Sequence, residues 1–182
     1  MSDVASQVRW FAVTVKPQHE KKAATALAHK AVDCFLPLYH ARRRWSDRVK
    51  DLELPLFPGY VFCQFRFDQR LPIMQTPGVT SIVTFGGKPA PIPERDILSI
   101  RTMISSGLKV EPWPFLKAGQ RIRVEAGPLD GLEGILLEVK NSLRVVVSLD
   151  LLQRAVAVEI DRRAVCPISP TASRSTGSQF NF

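Results

Sequence analysis

The chain has 182 residues, 45% of them hydrophobic and 23% charged, which is typical of a folded protein with one or two small domains. Its 25 Lys and Arg against 17 Asp and Glu leave a formal net charge of +8, so polyanions are favoured partners. The sequence has neither an apolar run long enough for a membrane span nor the start typical of a secretory signal. Cys34, Cys63 and Cys166 are widely spaced, so we expect no disulfide framework, no zinc site and a reducing cytoplasm as the compartment.

Residues 9–39 predict a strand, a helix and a second strand. The segment 9–15 is short, aromatic and β-branched, and Pro17 ends it. From Gln18 onward, alanines and a leucine recur at spacings of three and four, which indicates an amphipathic helix able to lie close to a sheet. A second strand is predicted over 33–39.

Much of the positive charge lies in one segment, residues 42–50, in which three consecutive arginines precede Trp45. We interpret it as the arm of a hairpin whose returning strand is 52–56. Such an arm is often only a solvated surface. Guanidinium groups also suit phosphate oxygens, and an exposed indole can stack on an unpaired base. The candidate nucleic-acid contacts are Arg42, Arg43 and Arg44 on the arm, with Lys16 and His19 at the junction of the first strand and helix.

Residues 56–65 carry four aromatic side chains around a proline-glycine turn. In the strand that follows, Tyr60 and Phe62 share one face, while Val61 and Phe65 share the other. We expect the second face to be core. The first face is either covered core or, if no helix covers it, a groove for a protein partner.

Residues 71–107 continue a mixed pattern. The sequence predicts a short helix over 71–75, a strand over 79–85, a glycine turn, and a helix that Pro93 opens and that ends near Gly107. The predicted class is α+β, with an N-terminal antiparallel sheet and flanking helices.

Beyond residue 108 the residue pattern is typical of β-strands alone. Short β-branched segments separated by turns predict four or five strands, which would close into a small barrel. The predicted organisation is an N-terminal domain over 1–108, a linker over 109–118, a barrel domain over 119–166 and a disordered tail over 167–182.

The sequence offers no catalytic motif. His19, His29 and His40 lack metal-pair spacing, and no nucleophile elbow or phosphate-binding glycine loop is present. We therefore predict a non-enzymatic protein without a cofactor or a metal site.

Two sets of motifs give the chain a resemblance to the NusG family of transcription elongation factors. The N-terminal motifs are WFAV at 10–13, CFLPLY at 34–39, LFPGYVF at 56–62 and TPGV at 76–79. Residues 119–135 resemble a KOW motif, which implies an SH3-like barrel. The segment AVDC at 31–34 is also similar to the paralogue RfaH, and the arginine arm is similar to that of UpxY-type antiterminators. The resemblance therefore allows two interpretations, a housekeeping factor and an operon-specific paralogue.

The resemblance implies a monomeric factor that binds the β′ clamp helices of RNA polymerase, suppresses pausing and acts in antitermination or termination control. The arginine arm is our candidate contact for the non-template DNA strand or the upstream duplex, and the gate loop of the β subunit is a further candidate partner. In RfaH a His-Thr-Thr motif contacts this gate loop, and the matching residues 69–71 (Gln-Arg-Leu) depart from that motif. The implied polymerase groove consists of Tyr60, Phe62, Phe85, Ile97 and Ile100.

The KOW module implies a second partner, either Rho or a small-subunit ribosomal protein, contacted through Leu152. The β-branched run at 145–147 favours strands over the helical hairpin that RfaH can form. We accordingly expect a β-sheet C-terminal module and a groove left uncovered at rest. The alternative function is a ribosome-associated RNA-binding KOW protein.

Overall fold

The computed structural model describes residues 6–44, 49–115, 119–139 and 142–168. Trp45 and residues 169–182, most of the predicted tail, lie outside the described residues. The N-terminal part is built on a four-stranded antiparallel sheet in the order β2-β5-β1-β6. Its strands are β1 (Val8–Val15), β2 (Asp33–Phe35), β5 (Tyr60–Arg66) and β6 (Val79–Ile82).

Two hairpins extend from this sheet. The longer pairs β3 (Leu38–Arg44) with β4 (Val49–Pro55), and the shorter pairs β7 (Thr84–Phe85) with β8 (Lys88–Pro89). The strand predicted over 33–39 is interrupted at Leu36 and Pro37. Proline has no N–H to donate to a ladder, and the Pro37 carbonyl instead accepts the Leu56 N–H at 2.9 Å, which directs the chain into the longer hairpin.

Within the described residues, three helices cover the four-stranded sheet: α1 (Glu20–His29), α2 (Leu71–Met74) and α3 (Glu94–Ser105). Period-two alternation gives each central strand two apolar faces. Phe11 and Val61 lie on the face that packs with Leu27 of α1 and Ile73 of α2. The opposite face, which includes Phe62, packs with α3.

The C-terminal strands form a six-stranded antiparallel sheet in the order β14-β10-β11-β12-β13-β9. They are β9 (Val110–Trp113), β10 (Gln120–Val124), β11 (Glu133–Val139), β12 (Ser142–Leu149), β13 (Arg154–Ile160) and β14 (Val165–Pro167). The α+β class, with an all-β C-terminal part, is confirmed. Closure of this sheet into a barrel stays a prediction.

Strand β9 lies inside the segment predicted to be a linker. It pairs with β13 at the edge of the sheet, a position where the missing N–H of Pro112 is tolerated. The Arg144 guanidinium lies 4.7 Å from the centre of the Trp113 ring and forms an ion pair with Glu111. These contacts join β9 to β12 as well, so four of the ten predicted linker residues belong to the sheet.

Two glycines of the KOW-like segment serve different purposes. Gly131 has φ of +80° in an open turn, where glycine avoids the strain that a side chain would cause. Gly134 has an ordinary φ, but a Cβ there would lie 2.6 Å from Val145 Cγ1 and 2.7 Å from the Val146 carbonyl oxygen. Gly134 therefore permits close contact between β11 and β12.

Candidate functional site

Four of the five predicted groove residues come together in one apolar cluster, which we call the groove cluster: Tyr60, Phe62, Ile97 and Ile100. The alternation of β5 places Tyr60 and Phe62 on the same face, and the helical spacing of α3 turns both isoleucines towards them. Tyr60 is half-buried, whereas the other three are at most 1% exposed.

Aromatic contacts hold Phe62 in place. Its ring meets Phe57 edge to face at 5.3 Å between centroids and lies 6.2 Å from Phe35, the residue opposite it on β2. Such aromatic pairs stabilise beyond the area that they bury. Phe62 is therefore a core side chain as much as a surface of the groove.

The fifth groove residue, Phe85, does not join the cluster. It lies on β7 with 79% of its surface exposed. It lines a surface depression together with Ile92 and Leu151, so it stands at the rim of the interface between the two sheets. The sequence predicted one strand over 79–85. In the structure β6 ends at Ile82, and Phe85 lies on the separate strand β7, which pairs with β8 instead of the four-stranded sheet.

The C-terminal sheet packs over the groove cluster. Helix α3 contacts both β12 and the 3-10 turn Gly127–Leu129, and the cluster is continuous with the inner face of the C-terminal sheet. The expectation that the groove is uncovered at rest is wrong. Each sheet presents an apolar face to the other, and bringing the two together removes both from water.

Leu152, the predicted contact of the KOW module, lies in the same buried region. It ends the 3-10 turn Asp150–Leu152, is only 8% exposed and belongs to the apolar cluster that includes Phe62. In this closed arrangement the side chain is not presented to a partner.

Sequence reasoning did not assign four residues that lie at the groove: Trp10, Phe35, Ile92 and Arg101. Arg101 of α3 lies with its guanidinium 4.9 Å from the Phe35 ring centre and 5.2 Å from that of Trp10. The Ile92 N–H donates to the Trp10 carbonyl at 2.8 Å, which ties the start of α3 to β1. A signal for Arg101 was available, since it lies four residues after Ile97 on the same helical face.

Charged groups also meet where the two sheets face each other. Burial raises the pKa of the Asp96 carboxyl on α3, and Arg95 at 3.6 Å partly offsets this. Asp150, in the 3-10 turn that follows β12, raises the pKa of Asp96 further. Asp96 and Asp150 line the same surface depression between the two sheets, so repulsion between them weakens closure when both are ionised.

The arginine arm forms the distal half of the longer hairpin. Arg42 pairs with Asp51, Arg43 with Lys50 and Arg44 with Val49 along the backbone register. The placement of the three arginine side chains lies outside the described part of the structure.

An ion pair of 3.1 Å between Lys21 of α1 and Glu53 of β4 links the hairpin to the domain. Lys16 is exposed, and its N–H donates to the Gly78 carbonyl at 2.8 Å. His19 is half-buried and faces the same glycine. Lys16 and His19 therefore lie beside the Gly78 turn, between the end of β1 and the start of α1, where the sequence placed them.

Two absences hold for the described ranges. No three His, Cys, Asp or Glu side chains come together there as metal ligands would. None of the three described helices has the length and apolar content needed to cross a bilayer.

A family model, curated relatives and a solved structure that match this chain all bear the same name, NusG. The family model "NusG: Transcription termination factor nusG" matches residues 8–101, just over half of the chain. The "Transcription termination/antitermination protein NusG" of Lactococcus lactis subsp. lactis (strain IL1403) is 27% identical, over 86% of this chain and 91% of the relative. The protein of the same name from Escherichia coli (strain K12) is also 27% identical, over 86% of this chain and 94% of its own.

A solved structure, "Domain interaction in Thermotoga maritima NusG", aligns with 90% of this chain and 98% of its own. The TM-score is 0.56 and the sequence identity is 22%. At that identity the alignment supports the fold.

Proposed function

The chain belongs to the NusG family of transcription factors, and from this premise we propose that it is an elongation factor that binds the clamp of RNA polymerase. It suppresses pausing and acts in antitermination or termination control. The observation that carries the proposal is the groove cluster: strand aromatics and helix isoleucines form one apolar surface, covered by a separate sheet of the same chain.

Docking on the polymerase requires that the C-terminal sheet leave the groove. Among the described residues, the two main sheets share no strand ladder, so their separation breaks side-chain packing without breaking a sheet. Each large apolar side chain kept from water contributes about 1.5–3 kcal/mol. The tip of the β′ clamp helices would replace the C-terminal sheet as the apolar cover, so part of the lost burial would be recovered.

The groove proposal is tested with Tyr60→Ala in the full chain, measured as affinity for core RNA polymerase. Tyr60 is preferable to Phe62, because the fully buried Phe62 also holds the fold. We expect roughly tenfold or greater weakening. The matched control is Val8→Ala, an exposed apolar residue on β1.

Tyr60→Ala also loosens the cover over the groove, because Tyr60 packs against the same cluster as the C-terminal sheet. Looser closure by itself would strengthen polymerase binding. A weaker complex therefore reports loss of a direct contact, whereas unchanged or tighter binding would contradict the proposed docking site.

We further propose that the arginine arm contacts the non-template strand or upstream duplex, with Lys16 and His19 as added phosphate contacts. Phosphate contacts release counterions, so affinity for an elongation complex should fall with salt. Replacing Arg42, Arg43 and Arg44 by Ala should weaken binding and flatten the salt slope. The control replaces Arg121, Arg123 and Arg163, three exposed arginines of the C-terminal part, by Ala. If affinity depends on salt equally in the two triple variants, the arm does not contact nucleic acid and is only a solvated surface.

The same opening would present Leu152 to a second partner, Rho or a small-subunit ribosomal protein. Since Leu152 is buried in the closed arrangement, binding of that partner should increase when polymerase occupies the groove. The test is affinity for each candidate with and without core polymerase. Equal affinities in the two conditions would contradict this coupling.

A further inference from the structure

Two cysteines that are far apart in the sequence lie opposite each other in the N-terminal sheet. Cys34 of β2 pairs with Cys63 of β5 in the antiparallel register, and their sulfur atoms are 3.3 Å apart. Both are free thiols. Directly opposed residues of antiparallel strands have Cα atoms about 4.5–5.5 Å apart, which falls within the separation that a disulfide needs. The backbone is therefore already spaced for a bond between them.

The two thiols differ in access and acidity. Cys63 is fully buried, whereas Cys34 is half-buried on β2, an edge strand. A hydrogen bond from the Cys63 thiol lowers the pKa of Cys34. That hydrogen bond, followed by burial, raises the pKa of Cys63. Cys34 is the thiol that a reagent reaches first, and Cys63 lies behind it.

We propose that Cys34 and Cys63 form a modification site at which small-molecule disulfides close an internal disulfide bond. The Cys34 thiolate attacks a disulfide RS–SR, which forms a mixed disulfide and releases one RS⁻. Cys63 then loses its proton and attacks the Cys34 sulfur, which forms the Cys34–Cys63 bond and releases the second RS⁻. The protein dithiol loses two electrons and two protons, and RS–SR is reduced to two RSH.

The site lies against the groove without belonging to it. The next residue pair in the register is Phe35 opposite Phe62, whose side chains point to the groove face, while the cysteines pack with the opposite core. A bond at this position ties the edge strand β2, and with it Phe35, to β5. Formation of this disulfide does not depend on polymerase binding.

The experiment uses the full chain with Cys166→Ser, so that only the paired thiols remain. The native protein is exposed to oxidised glutathione, and the products are followed by intact mass and by mapping of peptides after alkylation. We expect loss of two hydrogens, a linked peptide pair containing Cys34 and Cys63, and full reversal by dithiothreitol. A persistent glutathione adduct, or two thiols that still alkylate, would overturn the proposal.

Two variants and one comparison show whether the fold drives the reaction. In the Cys166→Ser background, Cys63→Ala keeps the buried site apolar and should stop at a single adduct on Cys34. Cys34→Ser should accumulate no internal bond and little adduct. The two cysteines are 29 positions apart in the chain. The ratio of internal to mixed disulfide should therefore be at least about tenfold higher in native protein than in urea-unfolded protein. An equal or lower ratio in the native state would refute the assignment.

Discussion

Arg154, on the C-terminal strand β13, holds its guanidinium carbon 6.0 Å from the centre of the Tyr60 ring on the N-terminal strand β5. A cation of one sheet thus faces an aromatic ring of the other. At an exposed site such a contact contributes about 0.5–1 kcal/mol. The contact bears on how firmly the C-terminal sheet covers the groove rather than on the stability of either sheet alone.

Replacing Arg154 by Ala should therefore favour separation of the two sheets. We expect the open form to increase roughly two- to fivefold. Hydrogen exchange measured by mass spectrometry on peptides of α3 should become faster. The control is Arg163→Ala, which removes the same charge from an exposed position of the C-terminal part. Identical exchange in the two variants would contradict a role for Arg154 in closure.

Asp96 should make stability depend on pH. Its pKa is raised in the folded protein, chiefly by burial and further by Asp150, so the folded state binds the proton more tightly than the unfolded chain. The stability linked to this proton is present below the unfolded pKa and is lost as pH rises through the folded pKa. Asp96→Asn should thus become increasingly stabilising relative to wild type as pH rises from about 4 to 7.

The matched control for Asp96 is Glu94→Gln. Glu94 is exposed in the same first turn of α3, so this variant measures the loss of a favourable charge at the start of the helix. Urea unfolding of the three proteins at several pH values provides the comparison. A constant difference between Asp96→Asn and wild type across the range would exclude the proposed linkage.

Gly134 and Gly131 should respond differently to alanine. At Gly134 the new Cβ would overlap backbone and side-chain atoms of β12, so the cost should reach about 2–3 kcal/mol. At Gly131 the space is open and only the positive φ opposes alanine, at about 1–2 kcal/mol. Chemical denaturation of both variants checks the order. A larger loss at Gly131 would show that backbone strain outweighs packing in this segment.

Replacing Phe62 and Phe85 in turn by alanine distinguishes a core side chain from one at the rim of the interface. Phe62→Ala should lower the free energy of unfolding by about 3–5 kcal/mol, because a fully buried ring is replaced by a cavity. Phe85→Ala should change it by no more than about 0.5 kcal/mol, because the ring is 79% exposed. Urea denaturation distinguishes them. Similar losses for the two would place Phe85 in the core of the solution structure.

Much of the fold could be predicted from local patterns in the chain. The alternation at 60–65 correctly separated the two faces of β5, and the apolar spacing after Pro93 located α3. These signals are reliable because strand and helix periodicities are properties of consecutive residues. The break at Pro37 and the strand at 110–113 were missed, because each depends on a partner distant in the chain: Leu56 for the first and β13 for the second.

The sequence by itself determined that Tyr60 and Phe62 share an apolar face and that the C-terminal segment prefers strands. Only the tertiary structure decided that these two features cover each other, and that Cys34 lies opposite Cys63. The physical reason is that periodicity reveals which side of an element avoids water, whereas the surface that shields it comes from residues brought together by the whole fold.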